Sequence, residues 1–168
     1  MLQNALGIIR PVCEPILFIM VGFPRSGKST WIKENSNYLV VEPDWIRREI
    51  LGHQFHKPAE PIIWLIADSF IRIALSQGQN VVLDGTNLLP FIREKYITLA
   101  KGMNASVIAI WVDTPMEVCV ERNNRSVEGQ KLPHNILVSK EEGFVPPSKD
   151  EGFDSIIVYR YDEENEVT

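Results

Sequence analysis

An apolar run, Ile16-Leu17-Phe18-Ile19-Met20-Val21, leads directly into Gly22-Phe23-Pro24-Arg25-Ser26-Gly27-Lys28-Ser29-Thr30, and a helical start, Trp31-Ile32-Lys33-Glu34, follows at once. A buried strand that feeds a glycine-bracketed turn and then a helix leaves few folds open. The spacing G-x-x-x-x-G-K-[ST] is that of a phosphate-binding loop. The glycines let successive backbone amides converge, the lysine reaches β- and γ-phosphate oxygens, and the serine hydroxyl can ligate magnesium. Free amides and the positive end of the following helix add to the attraction for an anion. The segment therefore predicts a bound nucleoside triphosphate with Mg2+. Its binding residues are Gly22, Pro24, Arg25, Ser26, Gly27, Lys28, Ser29 and Thr30, with Ser29 on the metal.

With 168 residues, 45% of them hydrophobic, the chain can bury one good core but hardly two. One domain over residues 1–160 is expected, with residues 1–15 as an irregular lead-in and residues 161–168 as an acidic disordered tail. Cys13 and Cys119 lie in different segments with no C-x-x-C spacing, which suits a reducing cytosol and predicts a cytoplasmic protein. The apolar run before the loop is about six residues long, against roughly 20 for a bilayer span, so no membrane partner is expected. The formal net charge is −5. Asp162, Glu163, Glu164 and Glu166 hold four of those charges, leaving −1 for residues 1–161. The acidity belongs to the tail, and the body is close to neutral.

Apolar, β-branched runs recur at Ile16–Val21, Tyr38–Val41, Val81–Leu83, Ala105–Val112 and Ile156–Tyr159. Helical patterns fill the intervals at about Lys28–Glu34, Asp44–Leu51, Pro61–Gln77, Pro90–Gly102 and Pro115–Asn123. Strands alternating with helices predict an α/β P-loop NTPase fold, a five-stranded parallel sheet with helices on both faces. Residues 124–155 break the alternation, being polar and rich in Gly, Pro and Ser, and are expected to form a mobile lid and loop.

In an open α/β sheet the ligand lies beyond the carboxyl ends of the strands. The second strand runs into Glu42-Pro43-Asp44-Trp45-Ile46-Arg47, with Asp44 and Arg47 one turn apart on a common helix face. A carboxylate there can take the proton of an attacking hydroxyl while Arg47 steadies an acceptor phosphate. Asp is also a favoured N-cap, and the two roles are compatible. The third strand ends in Asp84-Gly85-Thr86-Asn87, which reads either as a magnesium-holding carboxylate or as a turn. The fifth helical pattern ends Glu121-Arg122-Asn123-Asn124-Arg125, where the arginines either face phosphates or complement the helix dipole. Arg122, Arg125, Lys131 and Lys140 against Glu121 and Glu128 give residues 121–140 a local +2, favouring a phosphate-facing lid. His53 and His56, bracketed by Gly52 and Pro58 with no cysteine nearby, do not make a zinc set. Trp31, Trp45, Trp64 and Trp111 read as core, with Trp45 beside Asp44 placed to stack on an acceptor base.

Taken together, GFPRSGKST, D-W-I-R, D-G-T-N, E-R-N-N-R and F-V-P-P-S-K-D-E-G-F-D resemble the P-loop kinases related to the phage polynucleotide 5′-hydroxyl kinase, from about Ile16 to Tyr159. The resemblance implies that Lys28 and Ser29 serve ATP and magnesium and that Asp44 is the general base. It implies Arg47 as an acceptor-phosphate contact, Asp84 as a supporting metal carboxylate, and Arg122 and Arg125 as lid residues over adenine and phosphates. The lid arginines here are three apart, where the phage enzyme has a wider gap. The expected function is an ATP-dependent phosphotransferase with a hydroxyl acceptor, a nucleic-acid 5′ end or a small molecule such as a nucleoside. The contrasting expectation is an ATPase or switch module that transfers nothing, for which the acceptor side at Asp44 and Arg47 would be superfluous.

Overall fold

The computed structural model describes residues 14–35, 37–52, 56–127 and 131–162. Strand β1 (Ile16–Val21) alternates strictly: Leu17, Ile19 and Val21 enter one core, and Phe18 and Met20 enter another on the opposite face. A strand buried on both faces belongs in the middle of a covered sheet. It pairs with β3 (Val81–Leu83) on one side and β4 (Ser106–Asp113) on the other, and β2 (Leu39–Val41) and β5 (Ser155–Arg160) form the edges. All pairings are parallel and the order is β2-β3-β1-β4-β5.

Helices α2 (Pro43–Leu51), α3 (Glu60–Ser76) and α4 (Pro90–Lys101) cover the Leu17 face through Ile46, Ile63, Ala67, Ile71 and Tyr96. The spacing Ile63, Ala67, Ile71, Ala74 is the inward stripe of a helix. Ile63 and Ile71 are fully buried, each contributing roughly 1.5–3 kcal/mol. Helix α1 (Lys28–Glu34) lies on the other face, seating Trp31 against Phe18, Met20 and Ile110. The expected architecture, helices on both faces of a parallel sheet, is what the chain forms.

The segment expected to be lid and loop has more order than its composition announced. Helix α5 (Met116–Arg125) runs on through Arg125, and a further helix, α6 (His134–Glu142), lies within the polar stretch. Leu137 of α6 is buried with Met116 and Cys119 of α5. Burial pushes the Cys119 thiol up to about 11, so it serves as packing. Beyond α6, the chain is tied to the sheet by Arg93, which is fully buried in α4. Its Nη1 donates to the carbonyls of Asn87, Leu88 and Val145, while Nε and Nη2 grip Glu151 at 2.7 Å each.

Among the described residues no helix is long and apolar enough to cross a membrane. The lead-in up to Cys13, His53 and the acidic tail from Glu163 onward lie outside the described residues.

Candidate active site

The strand order brings the carboxyl ends of β2, β3 and β1 side by side, and with them the three segments that carry Asp44, Asp84 and the phosphate loop. The direction of chain connection also reverses between β1 and β3, since β1 leads outward to β2 while β3 leads across to β4. That switch is where α/β sheets open a crevice.

Gly22 opens the loop at φ 150°, and a Cβ there would meet the Val112 carbonyl oxygen at 2.7 Å. No other residue fits that point. Its amide donates to the Thr86 carbonyl at 3.1 Å, and Asn87 Nδ2 donates to the Met20 carbonyl at 2.7 Å, so the end of β3 braces the loop. From the other side Thr114 Oγ1 donates to the Ser26 carbonyl at 2.8 Å, and Arg122 Nη1 reaches the carbonyls of Arg25 and Ser26 at 3.1 and 3.2 Å. Arg25 holds a left-handed φ of 68° within this frame. Lys28 lies buried under the loop, donating to the carbonyls of Gly22 at 3.0 Å and Phe23 at 2.6 Å. Ser29 and Thr30 are exposed at the start of α1, which has no side-chain cap.

Burial pulls the Lys28 ammonium down to about 8, against the attraction of Asp84 and Asp44. Asp84 is half-buried, and its carboxylate makes no hydrogen bond or ion pair with a described residue. Burial pushes it up to about 6; Lys28 opposes the rise, and Glu42 and Asp44 add to it. The Asp84 carboxylate, facing Lys28, and the exposed Ser29 hydroxyl at the start of α1 are hard oxygen donors. No group of three or more His, Cys, Asp or Glu among the described residues could hold a metal without help. That donor set fits Mg2+, which keeps waters and phosphate oxygens and takes only one or two protein ligands.

On the β2 side, Asp44 stands in the first turn of α2 with its side chain 77% exposed, and Arg47 Nη1 donates to its Oδ1. Arg47 is itself clamped: Nε and Nη2 donate to the two carboxylate oxygens of Glu60 at 2.8 and 2.9 Å, both side chains being largely buried. The arginine holds the Glu60 carboxyl below its usual range. Glu60 begins α3, thirteen residues beyond its partner, and no local pattern in the sequence marks the pair.

Beside β5 the loop borders a cleft of about 710 Å3. Its walls include Trp31, Arg122, Tyr159 and Tyr161, with the Arg122 guanidinium 5.5 Å from the Tyr161 ring centroid and Trp31 edge-on to Tyr159 at 6.2 Å. The Trp31 indole N–H is buried there without a partner among the described residues. Flat apolar walls and a stacked guanidinium suit a nucleobase. Trp31 thus combines packing with a place in this wall, and the Tyr pair escaped notice because strand and tail residues carry no motif.

Arg122 therefore stands at the loop as its position in E-R-N-N-R suggested. Arg125 does not: its side chain is 69% exposed on α5 and paired with Glu121. It lies one turn beyond Arg122, and its partner Glu121 stands four residues before it on the exposed helix surface.

A family model described as an AAA domain, AAA_33, matches residues 17–136. The chain is 28% identical over 141 residues to the L-seryl-tRNA(Sec) kinase of Methanococcus maripaludis, covering 79% of this chain and 53% of that protein. It is 30% identical over 152 residues to an Acanthamoeba polyphaga mimivirus protein named as a bifunctional polynucleotide phosphatase/kinase, covering 83% of this chain and 32% of that one. A solved structure described as the Pnkp1/Rnl/Hen1 complex superposes with a TM-score of 0.61 at 26% identity, covering 71% of this chain and 41% of that chain. The chain thus spans about half the length of the first of these curated relatives and a third of the second.

Proposed function

This chain belongs to the AAA_33 family of AAA domains, and from that premise we propose that it is an ATP- and Mg2+-dependent kinase. It moves the γ-phosphoryl group to a hydroxyl, foremost the 5′-hydroxyl of a polynucleotide. One observation carries the reading: the sheet presents two half-sites at one end. A phosphate loop with a buried lysine follows β1, and an exposed carboxylate bonded to a clamped arginine follows β2. A protein that only hydrolysed or sensed nucleotide would have no use for the second half.

In this mechanism the acceptor oxygen bonds to the γ-phosphorus as the bond from that phosphorus to the β–γ bridging oxygen breaks, and ADP leaves. Asp44 accepts the hydroxyl proton. Arg47, held by Glu60, keeps Asp44 in place and steadies the phosphate next to the acceptor hydroxyl. Lys28 turns from its loop carbonyls to the β- and γ-oxygens, and Arg122 with Tyr161 borders the base. Ser29 and Asp84 would hold Mg2+, which when bound would offset the charge of the phosphates. The protein's share is positioning and charge compensation, since the transferred group needs little covalent help.

Relatives named for polynucleotides and for seryl-tRNA support an acceptor hydroxyl carried on nucleic acid. The similarity to the seryl-tRNA kinase favours, as a second reading, a hydroxyl on a small group borne by RNA. Transfer from γ-labelled ATP to a 5′-hydroxyl oligonucleotide, to seryl-tRNA, and to a panel of nucleosides and small alcohols separates these. The proposal expects label on the oligonucleotide. Label on the small alcohols alone would replace the acceptor, and ATP hydrolysis that no acceptor stimulates would replace the kinase.

A further inference from the structure

Helix α3 is apolar on two sides. Ile63, Ala67, Ile71 and Ala74 are buried in the core, yet Ile62, Leu65 and Ile73 on the opposite side, with Phe70 at its margin, remain exposed, from 50% for Phe70 to 65% for Leu65. A helix that is hydrophobic all round is ordinarily covered all round. Ser69, at the middle of the outward side, and Ser76 do not interrupt it. Their hydroxyls turn back to the carbonyls of Leu65 and Ile73, at 2.7 Å each, and so offer no unsatisfied polar group. The charged residues Asp68 and Arg72 stand on one flank, toward α4, where Lys95 bonds Asp68 at 2.8 Å. Phe91, in the first turn of α4, is exposed as well.

The outward pattern is its own complement. Reversed end for end about Ser69, position 65 falls on 73 and position 62 on 76, so two antiparallel copies of α3 set Leu65 against Ile73 and Ile62 against a serine whose hydroxyl is already bonded. A small residue at the crossing lets the axes approach as packed helices do. A two-fold axis between the helices keeps equivalent flanks together. Arg72, exposed and making no hydrogen bond or ion pair with a described residue of its own chain, then lies about 3 Å along the helix from Asp68 of the partner subunit. Side chains of this size, half to two-thirds exposed, leave about 100 Å2 each uncovered. Ile62, Leu65, Phe70, Ile73 and Phe91 thereby bring a pair of copies to about 1,000 Å2, the lower bound of a specific interface, before any flanking residue contributes.

We propose that α3 is the interface of a two-fold dimer, its outward side packed antiparallel on the same helix of a second copy about an axis at Ser69. No described residue of α3 lines the cleft beside β5, so the pairing leaves the nucleotide side open. A partner of another kind would need neither the reversal about Ser69 nor an acid placed for Arg72.

Sedimentation velocity and light scattering on the full chain over a wide concentration range should give twice the chain mass of 19.2 kDa. Leu65→Glu sets a charge against Ile73 of the partner subunit and should give the single mass, with ATP affinity unchanged. Thiol crosslinking reads the axis directly. Ser69→Cys should be joined to its copy by a short crosslinker, whereas Ser76→Cys, whose copy would stand about 21 Å away along the helix, should not. Wild type under the same conditions accounts for Cys13 and Cys119. A wild type that is monomeric throughout overturns the proposal, as does a dimer that survives Leu65→Glu or that crosslinks at position 76 and not at 69. Should Leu65→Glu fail to fold, the two cysteine variants decide, since each replaces an exposed serine.

Discussion

Glu60 grips Arg47 with both carboxylate oxygens, at 2.8 and 2.9 Å, and so fixes from α3 the guanidinium that also bonds Asp44 on α2. The proposed acceptor half-site is thus built on two helices at once. Removing the clamp should loosen acceptor binding and leave the nucleotide side alone. Glu60→Gln is expected to lower kcat/KM for the acceptor by about tenfold, the scale of a lost charge-assisted bond, with KM for ATP changed less than about twofold. Steady-state kinetics with each substrate varied in turn measures the split. An effect of equal size on both substrates would remove Glu60 from the acceptor side.

Asp44 carries no share of the loop's framework, so its loss should be felt in turnover alone. Asp44→Asn keeps the shape and an oxygen for Arg47 but cannot take a proton, and turnover should fall by about a hundredfold or more with ATP affinity near normal. Single-turnover transfer beside equilibrium nucleotide binding checks it, and wild-type turnover would dismiss Asp44 as base.

The pH profile follows from the two perturbed groups. Lys28, facing Asp84, Asp44 and Lys140, sits at about 8, and in its proposed role it holds phosphates only when charged. ATP affinity should therefore decline as pH rises through 8. Asp84, facing Lys28, Glu42 and Asp44, sits at about 6, and in its proposed role it would ligate metal only when ionised. Metal-dependent transfer should decline as pH falls through 6. Measured as kcat/KM for ATP, the profile is expected to be a bell with limbs near those values. A flat profile across both limbs would contradict the assignments.

Gly22→Ala places a methyl 2.7 Å from the Val112 carbonyl oxygen at a φ of 150°. The loop must shift, at a cost of about 1–3 kcal/mol, and β4 must move with it. Thermal unfolding and nucleotide titration should both register the change. The same substitution at Gly78, where a Cβ meets nothing within 4 Å, should cost less than at Gly22 and leave ATP binding intact.

What could be read from the chain beforehand was whatever is encoded locally. The alternation Leu17, Ile19, Val21 against Phe18, Met20 marks a doubly buried strand, and its ends coincide with those of β1. The phosphate loop is a contiguous motif, and Asp44 and Asp84 were legible because each follows a strand that ends beside it. Helix α6 was not, since it buries only Leu137 and sits between Pro133 and Gly143 in a polar stretch. Glu60 and Tyr161 were out of reach for another reason. Each acquires its meaning from a partner on a different element, and only the folded chain brings them together. Arg125 shows the converse: the motif offered it to phosphates, and in the fold its exposed side chain pairs with Glu121.

Arg93 reaches from α4 to the turn after β3, to Val145 beyond α6, and to Glu151 in the short helical turn that precedes β5. A guanidinium fully enclosed by these partners cannot release one of them and stay satisfied. The floor beside Asp84 and the far anchor of α6 therefore belong to a single cooperative unit. Amides on both should exchange with solvent through the same opening, and local fraying at one would be felt at the other.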